Sequence, residues 1–184
     1  MILNTQPVFQ SLNLRHLGLQ WTTPLFKRHA WVLGRLDYCN GLLAGCTSST
    51  LHRLQRVQDA AARLVCGAAA RAHARPLLQQ LHWLPIDSRI QYKLCTLMFD
   101  VQHGTAPVYL TKLCERCSDN RLRSSSRDFC IPRTNLRLSD KAFSVTGQRA
   151  WNSLPTSVRL TATKSTFCKH LKSHRFRVSY GHLS

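Results

Sequence analysis

Acidic residues are scarce in this chain: Asp and Glu together number 8 among 184 residues, against 26 Lys and Arg. They stand apart, at Asp37, Asp59, Asp87, Asp100, Glu115, Asp119, Asp128 and Asp140, with no Asp-Asp pair. Two-metal chemistry on phosphodiesters needs several carboxylates converging on the ions, so this scatter speaks against a polymerase or nuclease centre. No activated nucleophile is visible beside a base, no cofactor is expected, and the chain reads as no enzyme. Long apolar runs are lacking too. None approaches the roughly 18 residues that span a bilayer, and no basic stretch followed by an apolar one opens the chain. Neither a membrane partner nor secretion is expected. The cysteines, 8 in all, lack the spacing of a disulfide framework. Reduced thiols and an intracellular setting, nuclear or cytoplasmic, follow as the expectation.

What is present is positive charge, a net +18 at pH 7. Charge of that size does not specify a fold, but it favours polyanionic company, RNA or DNA bound without sequence preference through counterion release. Unselected coding DNA also yields Arg-rich, acid-poor protein, so charge alone does not prove a role. The excess is uneven. From Lys141 onward the chain holds 8 cations and no anion, and Lys164, Lys169, Lys172, Arg175 and Arg177 are the first candidates for phosphate contacts.

Periodicity supplies the architecture. After Thr47-Ser48-Ser49-Thr50, residues able to cap a helix start, Leu51, Leu54, Val57, Ala61, Leu64 and Val65 recur at spacings of three and four. They predict an amphipathic helix of about four turns, closed at Gly67, with this stripe inward. Arg53, Arg56 and Arg63 lie off the stripe and form a second candidate nucleic-acid face, although such faces are usually only solvated. Asp59 and Arg63 have the spacing of an ion pair. Pro76 opens a short helix that stops before Pro85. Asp87 is read as the cap of a longer helix with Ile90, Leu94, Leu97, Met98 and Val101 inward, ended by Gly104, and Pro107 opens another short one. An extended piece, Phe129-Cys130-Ile131, precedes a helical stretch from Ala142 to Trp151 and a last helix capped by Ser165 with Phe167 and Leu171 inward. Before all of these, Thr22-Thr23-Pro24 signals the start of a short helix around Leu25–Leu33.

The fold class is therefore mainly α: a small helical bundle, a Ser/Arg-rich linker and a basic, partly irregular C-terminal segment. The expected divisions are a loosely determined segment over 1–34, a helical domain over 35–117, a linker over 118–140 and the basic segment over 141–184. One core is expected to hold Leu54, Val57, Leu64, Trp83, Ile90, Leu94 and Leu97.

Other constellations have bland readings that compete. Cys114-Glu115-Arg116-Cys117 has the spacing that offers two thiolates to zinc, with Cys130, His170 and His174 as completing ligands. The distance to any second pair favours two thiols at a helix end, and no metal site is expected. Cys39 and Cys66 read as core thiols. Trp83 and Trp151, each near a proline, suit base stacking, but locking the packing of a helix end is the commoner use.

A family resemblance rests on ordered phrases. They are Arg35-Leu36-Asp37-Tyr38-Cys39-Asn40, then Leu54-Gln55-Arg56-Val57-Gln58-Asp59-Ala60-Ala61-Ala62-Arg63-Leu64-Val65 and Leu81-His82-Trp83-Leu84-Pro85-Ile86. They continue with Arg89-Ile90-Gln91-Tyr92-Lys93-Leu94, Leu122-Arg123-Ser124-Ser125-Ser126 and Pro132-Arg133-Thr134. Ala142-Phe143-Ser144-Val145 and Ala150-Trp151-Asn152-Ser153-Leu154-Pro155 complete the set. In order and approximate spacing over about residues 35–175, these resemble the C-terminal part of LINE-type, non-long-terminal-repeat retrotransposon reverse transcriptases of the jockey-like superfamily. The resemblance implies a thumb-like helical region after the palm, holding template RNA and target DNA, with the palm of a parent polyprotein as a further partner. Catalysis does not carry over, because the family supplies its carboxylates from an aromatic-x-Asp-Asp hairpin that this chain lacks. The family's endonuclease region has no counterpart here either.

Overall fold

A computed structural model describes residues 24–116, 129–136 and 138–181, with side chains from residue 31 onward. Among them are α-helices α1 (Pro24–Asp37), α2 (Ser48–Cys66), α3 (Ala74–Gln80), α4 (Ile86–Gln102), α5 (Val108–Thr111), α6 (Phe143–Asn152), α7 (Thr156–Arg159) and α8 (Lys164–Tyr180). The expected mainly α fold is what the chain adopts. No helix among the described residues is long and apolar enough to cross a membrane.

Local chemistry sets the helix boundaries. Pro85, Pro107 and Pro155 immediately precede α4, α5 and α7, where a fixed φ is useful and a missing N–H costs nothing. Three helices close with the same paired bonds. Ala68 N–H donates to Arg63 O and Gly67 N–H to Leu64 O after α2; Thr105 donates to Asp100 O and Gly104 to Val101 O after α4. After α3, Trp83 donates to Leu78 O and His82 to Gln79 O, so His82 holds the left-handed position, φ 53°, that Gly67 and Gly104 fill elsewhere. The side chain of Trp83 then packs with Leu78, as this closure favours.

α4 lies at the centre. Its Ile86, Ile90, Leu94, Met98 and Val101 stripe, widened by Cys95 and Phe99, joins Trp151, Leu154 and Val158 of the α6–α7 region and Phe167 and Leu171 of α8 in one core. Trp151 is fully buried, with Phe129 edge-on at 6.2 Å and Phe167 at 5.8 Å between ring centres. Gly147 lets α6 close on α4, since a Cβ there would stand 3.0 Å from Phe143 and 3.1 Å from the Met98 sulfur. A second core gathers Leu33, Ala61, Ala62, Leu78, Leu81, Trp83 and Tyr180.

Polar joints tie these layers together. Arg89 of α4 grips Asp37 of α1 with two hydrogen bonds, Nε to Oδ1 at 2.8 Å and Nη2 to Oδ2. On α2, Gln58 is wholly buried and donates to Leu84 O at 2.9 Å, while Gln55 accepts from Ile86 N–H at 3.0 Å. Asn152 exchanges two bonds with the backbone of Phe129, 3.1 and 2.8 Å, holding the extended piece that bridges Arg116. At the end of α8 the Tyr180 hydroxyl donates to Trp83 O at 2.6 Å, Arg75 donates to Ser179 O, and Ser88 and Ser179 share a hydroxyl bond.

Several expectations are corrected by this packing. There are two cores rather than one, with Trp83 in the second and Ile90 and Leu94 in the first. Leu54 packs beside the first and Leu97 is half-buried, but Val57 and Leu64 are 55% and 77% exposed. Leu51, Ala61 and Val65 of the expected stripe do pack inward, and Gln58 and Ala62 join them, because close approach to α1 and α3 suits alanine and the buried amide finds a carbonyl. Asp87 sits inside the first turn of α4 and does not cap it. Thr163, not Ser165, caps α8, accepting from Thr166 N–H. Asp59 accepts from Gln55 at 2.7 Å rather than pairing with Arg63, which donates to Ala72 O. α1 runs past the expected short helix, to Asp37. Residues 141–181 share both cores with α4 and α3, so the basic segment does not stand apart. Residues 1–23 and 117–128 lie outside the described residues, as does most of the expected linker.

Thiol expectations divide. Cys39, Cys46, Cys66, Cys95, Cys114 and Cys168 are free, whereas Cys130 is disulfide-bonded. Cys39 is exposed at a left-handed turn, φ 54°, and so is not the core thiol expected, whereas Cys66 is half-buried and packs against the second core as expected. Cys95 is fully buried, and burial pushes its thiol up to about 11.

This packing separates a core substitution from two outward ones on α2. Trp151→Ala should lower unfolding free energy by about 3–5 kcal/mol, while Val57→Ser and Leu64→Ser should each stay within about 0.5 kcal/mol of the parent. Urea unfolding followed by circular dichroism measures all three; a large loss at Val57 or Leu64 would contradict the orientation of α2.

Candidate nucleic-acid interface

The five cations of the tail share one helix but not one face. Residues spaced along α8 turn by about 100° each, so 164, 169, 172, 175 and 177 are spread around the axis. Phe167 and Leu171 fix which side faces the first core, and Phe176 and Tyr180 fix the other end against the second. The remaining directions decide each cation's surroundings.

Lys164 reaches Asp100 of α4 at 2.7 Å, a pair across 64 positions of sequence. With the lysine 54% exposed, the pair is worth about 0.2–1 kcal/mol, yet it cancels charge that the tail was expected to keep. Arg175 lies half-buried with Nη2 3.8 Å from the Cys95 sulfur. Lys172 is also half-buried, and burial together with the nearby Arg89 guanidinium holds its ammonium below the ordinary lysine range. Of the five, Lys169 and Arg177 are exposed and make no ion pair among the described residues. The acid-free run after Asp140 is thus partly neutralised by α4, a partner invisible to a local charge count.

On α2 the arrangement is simpler. Arg53 and Arg56 are exposed, without a carboxylate partner among the described residues, and they edge the outward Val57 and Leu64. Arg63 is half-buried, its Nε 2.8 Å from Ala72 O, so it holds the α2–α3 turn. The eight candidates therefore resolve into four outward cations, Arg53, Arg56, Lys169 and Arg177, and four engaged ones, Arg63, Lys164, Lys172 and Arg175.

Zinc binding finds no geometry. Cys114 is buried with its sulfur 3.8 Å from that of Met98, and Cys117 lies outside the described residues. Among the described residues no group of three or more His, Cys, Asp or Glu is placed to hold a metal ion. Trp83 and Trp151 are core residues, 1% and 0% exposed, so their stacking role is excluded in the folded chain. Sequence reasoning passed over Trp31, Arg35 and Tyr38, which share an exposed stripe of α1 and the residue after it. Their spacing of four and three was available as a signal, but weak periodicity in the first segment hid the inward side needed to orient it.

The Lys172 environment predicts a pH effect. Its folded pKa lies below its unfolded one, so between them the unfolded chain binds more protons and this group's contribution to stability rises with pH. Lys172→Met should be at least as stable as the parent at neutral pH, with its advantage shrinking as pH climbs through the ordinary lysine range. Paired urea unfolding curves of parent and variant test this; an advantage that grows with pH would contradict the burial described.

The chain matches no protein-family model, no curated protein and no solved structure.

Proposed function

We propose that this chain is a non-catalytic piece of a retrotransposon RNA-directed DNA polymerase, the thumb-like region after the palm, which binds RNA or DNA backbones without sequence preference. The ordered phrases over about residues 35–175 point to that family. The observation that supports nucleic-acid contact is the charge left outward once the fold has paired its ions. Asp37, Asp100 and Asp140 are taken by Arg89, Lys164 and Arg149, whereas Arg53, Arg56, Lys169 and Arg177 have no carboxylate partner among the described residues. A cationic surface of this kind binds phosphates by releasing counterions.

A protein-interaction reading, a domesticated or chance-expressed helical module, has one observation in its favour. Val57 and Leu64, seven residues apart on the outer face of α2, are both left in water. The flanking Arg53 and Arg56 make that short apolar pair equally compatible with a phosphate backbone passing beside it.

Two measurements test the first reading. Purified chain should extend no primer on an RNA template with magnesium present; extension lost on mutating one of its own acids would contradict a non-catalytic role. Binding to a single-stranded RNA should weaken steeply with salt, and Lys169→Gln with Arg177→Gln should flatten the log–log slope by about 1.4, at roughly 0.7 per phosphate contact. Lys164→Gln should leave that slope nearly unchanged, because Asp100 already neutralises it. Salt-independent binding, or a slope indifferent to the double substitution, would count against α8 as a phosphate-contacting face.

A further inference from the structure

α1 is anchored by its inner side. Leu33 is buried in the second core, Val32 packs beside it, and Leu36 packs against the first. The acid at its end, Asp37, is turned to Arg89. Outward among the described side chains of α1 and the residue after it runs a stripe of Trp31, 64% exposed, Arg35, and Tyr38, 80% exposed, at spacings of four and three. Tyr38 extends the helical turn through its N–H to Gly34 O, 3.1 Å, and the Arg35 guanidinium lies 5.4 Å from the centre of the Trp31 ring.

Single exposed apolar residues are ordinary, but two large aromatics on one helical stripe with an arginine between them are not needed for this fold. Aromatic faces interleaved with cations are what a single-stranded nucleic acid uses: bases stack on rings of any sequence, and guanidinium meets phosphate or stacks in turn. The two aromatics lie about 10 Å apart along the axis, at 1.5 Å per residue. That is about three base steps of roughly 3.4 Å. A second copy of this chain is a poor occupant, since each copy carries a net charge of +18 and the stripe offers no acid to receive Arg35.

We infer that the Trp31–Arg35–Tyr38 face of α1 is a base-stacking platform for single-stranded nucleic acid. The inference rests on the nucleic-acid reading above and adds to it a preference for unpaired bases, which phosphate contacts alone do not give. In a duplex the base faces are stacked on one another and closed to the rings.

The test uses the full chain with two probes, a 20-nucleotide oligouridylate and a 20-base-pair RNA duplex, read by fluorescence anisotropy over a salt series. Trp31→Ala and Tyr38→Ala should each weaken oligouridylate binding about ten-fold, consistent with the usual strength of one base–aromatic stack. The salt slope should not change, and duplex binding should be unaffected. Trp31→Phe should recover most of the loss, and thermal melting of every variant should match the parent because both side chains are outside the cores. If Lys169→Gln with Arg177→Gln weakens binding while the α1 variants bind as the parent does, the platform is refuted and the electrostatic reading stands. If the parent binds no oligouridylate, both fall. Equal loss on the duplex would also refute the platform. So would a self-association of the parent, seen by sedimentation, that Trp31→Ala abolishes.

Discussion

Burial of α4 is the constraint on which the other elements depend. Ile86, Ile90, Leu94, Cys95, Met98, Phe99 and Val101 are all withdrawn from water along one 17-residue helix. Such a helix needs partners on several sides, since each large apolar side chain gains about 1.5–3 kcal/mol only when covered. α6 covers it closely because Gly147 has no Cβ, α8 covers it through Phe167 and Leu171, and the 3-10 turn Asn40–Leu43 meets it beside Lys93. The Asp37–Arg89 grip ties α1 to the same helix, and together with Leu33 in the second core it sets which side of α1 faces outward.

The element types were legible in the sequence, and their faces only in part. Spacings of three and four located α2 and α4, and Gly67 and Gly104 marked where they stop. The inward side of α2 was only partly legible: Leu51, Leu54, Ala61 and Val65 pack as expected, Val57 and Leu64 do not, and the buried Gln58 lay outside the apolar pattern. A glutamine is tolerated in an interior when its amide has a partner, and that partner, Leu84 O, comes from a turn 26 residues away. Likewise His82 gave no cap signal, since its left-handed conformation is imposed by Trp83 folding back on Leu78.

The candidate site was legible as charge and not as geometry. A count of cations after Asp140 cannot register that Asp100 waits 64 residues upstream for Lys164, or that Lys172 and Arg175 lie half-buried against α4. Nor can a tryptophan beside a proline be told from one in water until its neighbours are known. Trp83 and Trp151 became core, while Trp31, in the least periodic part of the chain, is exposed.

The helical scaffold gathers its larger core around α4, and on the function proposed above the outward cations of α1, α2 and α8 serve a polyanion. The most direct test is a nitrogen–proton correlation spectrum of the full chain titrated with oligouridylate. The account predicts that the Trp31 indole and the amides around Tyr38, Arg53, Arg56, Lys169 and Arg177 shift, while those of Ile90, Leu94 and Trp151 stay in place. Shifts spread through the α4 core, or none at saturating oligonucleotide, would contradict it.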